Sequence, residues 1–101
     1  MTQAQAVPWQ GALEKHAPTL LKDVTAVREN VAADGALSGK VKILMTMLCD
    51  AILAHPDGVA TIAQRARAAG ATDEEIAETV GVAFIMGGMP GLVTGANAFR
   101  D

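Results

Sequence analysis

Apolar residues recur along this chain at spacings of three and four, and no stretch of useful length alternates with period two. Leu20, Leu21, Val24, Val27 and Val31 form one stripe, with Lys22, Asp23, Arg28 and Glu29 on other faces, which predicts a helix opening near Pro18-Thr19. Asp34-Gly35 stops it. Ser38 is a good N-cap for a second helix from Gly39 to about Ala54, apolar nearly all round and so expected at the centre of the fold. The polar break Ala54-His55-Pro56-Asp57-Gly58 follows. Pro56 suits the first turn of a third helix, with His55 at its cap and Asp57 at the positive end of its dipole. That helix carries Val59, Ile62, Ala63 and Ala66 to a stop at Gly70.

Thr72-Asp73-Glu74-Glu75 is a capping box, because the Thr hydroxyl and the Glu carboxylate three residues on can satisfy each other's backbone amides. It predicts a fourth helix through Ile76, Val80, Ala83 and Phe84. Gly87-Gly88 is expected to end or loosen it, and Pro90 to begin a last helix through Leu92, Val93, Ala96 and Phe99. The glycine pair reads as a helix–helix corner rather than a phosphate loop, since its spacing and flanks match no nucleotide motif. The expected fold is all-α, a small bundle of about five or six helices in a single domain over residues 1–101. Residues 1–17 read as an N-terminal arm, in which Trp9 either anchors on a neighbouring chain or makes an incidental surface contact.

Composition changes this picture in one respect. Half of the 101 residues are hydrophobic, 50%, but only 3% are aromatic. A short chain has too little interior to hide so many apolar positions, so some are expected to be buried against other subunits. Met45, Met47, Met86 and Met89 read as core filler, with pocket lining as the alternative. A net charge of −3 with no Tyr and one Trp argues against nucleic acid, which favours basic patches and stacking aromatics. The apolar run Ile43 to Ala54, interrupted by Thr46 and Asp50, is shorter than the roughly 20 residues a bilayer needs, and the start resembles no signal peptide. A cytoplasmic protein without a membrane partner is expected.

Few groups here can move a proton or attack a substrate. Cys49 is the single cysteine, so no intramolecular disulfide can form, and burial in the apolar helix is expected to keep its thiol inert. His55 has Asp50 and Asp57 in sequence reach, and a carboxylate would fix the tautomer of an imidazole able to exchange a proton near neutral pH. The same residues also read as a plain helix cap, with Asp50 facing solvent or pairing with a lysine across a subunit boundary. His16 is the only other histidine and lies far away, so no metal and no cofactor are expected.

Three segments together resemble a known family. They are Asp34-Gly35-Ala36-Leu37-Ser38-Gly39-Lys40-Val41-Lys42, Ala69-Gly70-Ala71-Thr72-Asp73-Glu74-Glu75-Ile76 and Met86-Gly87-Gly88-Met89-Pro90. In this order they resemble the carboxymuconolactone decarboxylase and alkylhydroperoxidase D-like family, from about Pro18 to Phe99. The resemblance implies a small all-helical fold assembled as a homotrimer or homohexamer. It also implies, for redox members, peroxide reduction by a Glu and a C-x-x-C-x-x-x-H motif. Laid on this chain, those positions fall on Ile43, His55, Gly58 and Ile62, so none of the four residues is present. The decarboxylase branch implies acid/base chemistry on an acidic lactone, with a histidine at the position of Ile62.

Three functional readings follow. The leading one is binding of a small organic acid or carbonyl compound, with non-redox, lyase-type acid/base chemistry at His55 oriented by Asp50 or Asp57, in a partly apolar pocket completed by a neighbour. The second is an alkylhydroperoxidase or peroxiredoxin-type antioxidant activity, which would rest on Cys49. The third is an oligomeric assembly or binding protein without chemistry.

Overall fold

In the computed structural model, which describes residues 8–100, every regular element is helical. Contacts divide the chain after Ala33. The first unit holds α1 (Pro8–His16) and α2 (Pro18–Ala32). Part of the expected arm, residues 8–16, is thus helical, and residues 1–7 lie outside the described residues. Pro18 opens α2, where a missing amide costs nothing. The guanidinium of Arg28 stands 5.5 Å from the centre of the Trp9 ring, so Trp9 has a cation–π partner within its own unit. The expected apolar stripe of α2 forms no core: no α2 residue is buried, and Leu20, Val27 and Val31 are exposed.

The second unit contains α3 (Gly39–Ile52), α4 (Pro56–Ala68), α5 (Asp73–Gly95) and a terminal 3-10 turn, Ala96–Phe99. Helix α3 starts where Ser38 accepts a hydrogen bond from the Val41 amide at 3.2 Å. Helix α5 starts on the full capping box, Thr72 hydroxyl to Glu75 amide and Glu75 carboxylate to Thr72 amide. Lys40 reaches that carboxylate at 3.0 Å and ties the start of α3 to the start of α5. At Gly88, with φ 66°, the backbone leaves the helical region, and Pro90 enters the second piece of α5 without an amide to donate. The expected corner is present: two helical pieces meet at a kink at Gly88.

The core of this unit is built mainly from alanine. Ala51, Ala63, Ala66, Ala71, Ala83 and Ala98 are buried with Met47, Val59, Ile76 and Val80. Small side chains let the helices approach closely, and at Gly95 a methyl would be a tight fit. A Cβ there would stand 3.0 Å from a Val80 methyl and 3.6 Å from Ala51. Arg67 fastens the far end: its Nε donates to Asp73 at 3.0 Å, an Nη donates to the Ala98 carbonyl, and its guanidinium lies over Phe99.

Close packing by alanine leaves the larger apolar residues outside. Only Met47 of the four methionines expected in the core is buried; Met45, Met86 and Met89 are exposed. Val82, Ile85, Met86, Met89 and Val93 follow each other at i, i+3, i+4, i+7 and i+11 and are all exposed, a second stripe on α5 away from its buried Ile76, Val80 and Ala83. By length and composition alone, Asp73–Phe99 is apolar enough to cross a membrane, with mean hydropathy 1.6 and 22% of the window buried within the chain. It is the longer apolar stretch, in place of the Ile43 to Ala54 run.

Helix α3 ends in a Schellman turn. The Ala54 amide donates to the Ala51 carbonyl, and the His55 amide donates to the Asp50 carbonyl at 2.9 Å. Ala54 occupies the left-handed position with φ 63°, where glycine is usual. Its methyl costs roughly 1–2 kcal/mol in that conformation, more than the roughly 0.5–1 kcal/mol of extra chain entropy that a glycine loses on folding. Ala54→Gly should therefore stabilise the protein by roughly 0.5–1 kcal/mol, read as a higher urea midpoint at unchanged m-value.

A second expectation concerns acid. The Thr72 amide, helped by the Lys40 ammonium, holds the Glu75 carboxyl below its ordinary value of 4.5. A lowered carboxyl contributes stability above the unfolded-state value, and that contribution is lost as pH falls through the folded-state one. Thermal melts taken from neutral pH down through the acid range should show a shallower acid loss in Glu75→Gln than in wild type. An identical slope would mean that the capping carboxylate has no part in acid stability.

Candidate functional site

The Schellman turn fixes which side chains meet at the junction of α3 and α4. Its geometry brings the third residue from the helix end against the second residue beyond the cap, a contact that is usually apolar. Here those residues are Asp50 and His55, and the contact is a hydrogen bond: His55 Nδ1 lies 2.9 Å from Asp50 Oδ1. A carboxylate can only accept, so Nδ1 carries the proton and Nε2 is left as the nitrogen free to take or give another. The side chain of His55 is 56% exposed and that of Asp50 21%, so the pair is open to a ligand from the imidazole side.

His55 is also the N-cap residue of α4, but its side chain makes no capping hydrogen bond. The reading of the ring as a simple helix cap is therefore corrected: the ring turns back to α3. Asp50 lies against the first turn of α4. A Cβ on Gly58 would stand 3.0 Å from its Cγ, and nearer still to Oδ2. The positive end of the helix thus already has a carboxylate beside it.

Asp57 does not join the pair. Its carboxylate accepts from Arg100 at 3.0 Å in a largely exposed ion pair, which links the first turn of α4 to the end of the described chain. Of the two carboxylates expected near His55, the structure places Asp50 in hydrogen-bond contact with it and Asp57 against Arg100. Nothing in the sequence signals an Asp57–Arg100 pair, because its members are 43 residues apart. Cys49 also departs from expectation: it is exposed, not buried, because the buried face of α3 runs through Met47 and Ala51. What still opposes dithiol chemistry is its count, one cysteine in the whole chain.

Among the described residues no group of three or more His, Cys, Asp and Glu side chains could hold a metal ion. A shallow groove in the first unit is lined by Glu14, Pro18, Leu21, Thr25 and Glu29, and His55 is not part of it.

The family model of the carboxymuconolactone decarboxylase family matches residues 18–101, from the start of α2 onward. The fold is similar to the crystal structure of the apo form of a carboxymuconolactone decarboxylase family protein from Legionella pneumophila. That likeness has a TM-score of 0.85 at 30% identity, over 92% of this chain and 83% of that one. Among proteins of curated function, none matches. With α2 to the terminal turn matched as sequence and nearly the whole chain matched as fold, this protein belongs to the carboxymuconolactone decarboxylase family.

Proposed function

We propose that this family member binds a small carbonyl compound or organic acid and performs non-redox, lyase-type proton transfer at His55. The observation that carries the proposal is the 2.9 Å contact between His55 Nδ1 and Asp50. It holds the imidazole in one tautomer with Nε2 directed away from the carboxylate, the arrangement a general acid/base needs. In this reading Asp50 orients and Nε2 exchanges a proton at the carbon or oxygen next to the substrate carbonyl. With Asp50 at the helix end and Asp57 in its first turn, a neutral carbonyl compound or lactone meets less repulsion than a free acid, and it is the preferred substrate class.

A dithiol peroxidase cycle within the chain requires a thiol that attacks peroxide and a second that resolves it, and the chain holds one. The two activities separate in one set of assays. His55→Gln should lose turnover by about 10²-fold or more while keeping its helicity, measured by NMR on a panel of small lactones, 3-oxo acids and aldehydes. Wild type and Cys49→Ser should consume peroxide indistinguishably with a dithiol reductant. Loss of peroxide turnover in Cys49→Ser alone would replace the acid/base reading with a peroxidase whose sulfenic acid is resolved by another molecule. Silence of His55 toward the whole panel would leave the non-catalytic assembly.

The same site is half-exposed in one chain, and acid/base chemistry of this kind gains from exclusion of water. We therefore propose a cytoplasmic homo-oligomer, a trimer or hexamer, in which the stripe Val82, Ile85, Met86, Met89 and Val93 packs against other copies. Sedimentation equilibrium at micromolar concentration, without detergent, should give that state for wild type and a smaller species for Ile85→Glu/Met89→Glu. A wild type that sediments as a monomer would remove the assembly, and one that stays in the membrane fraction until detergent is added would assign the stripe to lipid.

A further inference from the structure

Gly58 occupies the third position of α4 yet needs no glycine for its own conformation. Among the described glycines only Gly70 and Gly88 have positive φ, so the backbone at residue 58 would accept any L side chain. Within a helix a glycine is also a poor choice, since it gives up more chain entropy than alanine. What its missing side chain provides is room. A Cβ at this position would stand 3.0 Å from Asp50 Cγ, closer to Asp50 Oδ2, and 3.4 Å from His55 Cβ. The atoms in the way belong to the end of one side chain and to the ring-bearing residue that contacts it, with no core backbone among them.

We infer that Gly58 is a positioning residue for the proposed acid/base site: by having no Cβ it admits the Asp50 carboxylate to the first turn of α4, where that carboxylate reaches His55. The inference rests on the proposed role of His55 for its catalytic meaning, but its geometry stands apart from any turnover. Three neighbours set the arrangement. The Schellman turn fixes the distance between the Asp50 and His55 backbones, the first turn of α4 offers the carboxylate its positive end, and Gly58 leaves the volume open. Asp50 can escape a new methyl by rotating about its own side-chain bonds, so alanine at residue 58 leaves the helices standing and moves the carboxylate from the place where it meets His55.

The test reads the imidazole directly. In full-length 15N-labelled wild type, long-range ring correlations of neutral His55 should report the Nδ1–H tautomer that Asp50 holds. In Gly58→Ala the ring should shift to mainly Nε2–H, the form preferred by an unpartnered imidazole, with unchanged far-UV circular dichroism. Asp50→Ala should give the same spectrum, and Gly58→Ala added to Asp50→Ala should change it no further. The melting temperature should rise more when Gly58→Ala is made in Asp50→Ala than when it is made in wild type, because helix propensity improves in both but a displaced carboxylate is left in only one.

Retention of the Nδ1–H tautomer in Gly58→Ala would overturn the inference and leave the proposed function intact. Should Gly58→Ala fail to fold, recovery of folding in the double variant would support the steric account, and failure of both would overturn it. The expected tautomer changes without turnover of any panel compound would sink the proposed function alone. A wild-type ring already in the Nε2–H form would overturn both.

Discussion

The hydrogen bond from the His55 amide to the Asp50 carbonyl closes α3, and by closing it decides which side chains face each other at the start of α4. A helix that ends in this way has a fixed register between its last turn and the residues that follow, because two amide–carbonyl bonds over-determine three residues of backbone. In most proteins the resulting side-chain contact buries a little apolar surface. Here it joins an imidazole to a carboxylate, and Pro56 restarts a helix one residue later. The strain of Ala54, the placement of His55 at the cap and the clearance over Gly58 all refer back to that turn.

A core of alanines sets the other constraint. Alanine loses no rotamer entropy when buried and allows close helix contact, but each one removes little apolar surface from water. Six of the buried apolar residues of the second unit are alanines, and the larger side chains among them are Met47, Val59, Ile76 and Val80. The remaining long apolar residues have no space between the helices and come to lie on the surface, most regularly along α5. The composition and the exposed stripe are therefore two views of one packing solution.

Most of this helical frame, with the Ser38 cap and the Thr72–Glu75 capping box, lies in the part of the chain that the family model matches. At the junction of α3 and α4 the chain carries His55 and Gly58, and the carboxylate of Asp50 lies in the volume above Gly58.

Local chemistry made much of this protein legible from its residues alone. Caps and breakers act within a few residues, so Ser38, Pro56, Gly70, Thr72–Glu75 and Gly88 could be assigned from sequence, and the helices start and stop at or next to them. The family resemblance rested on the same signals. His55 and Asp50 could be named together because they are five residues apart, and a Schellman ending at Ala54 would have specified their contact had the left-handed position held the usual glycine. Tertiary structure alone decided the rest. Which face of an all-apolar helix is inside depends on its neighbours, so the exposure of Cys49, Met86 and Met89 was invisible in a pattern that is apolar all round. Asp57 went to Arg100 because the terminal turn folds back on α4, and Gly58 acquired its meaning only when the Asp50 carboxylate came to lie above it. Periodicity measures a helix against itself; burial, ion pairing and clearance are set by what packs beside it.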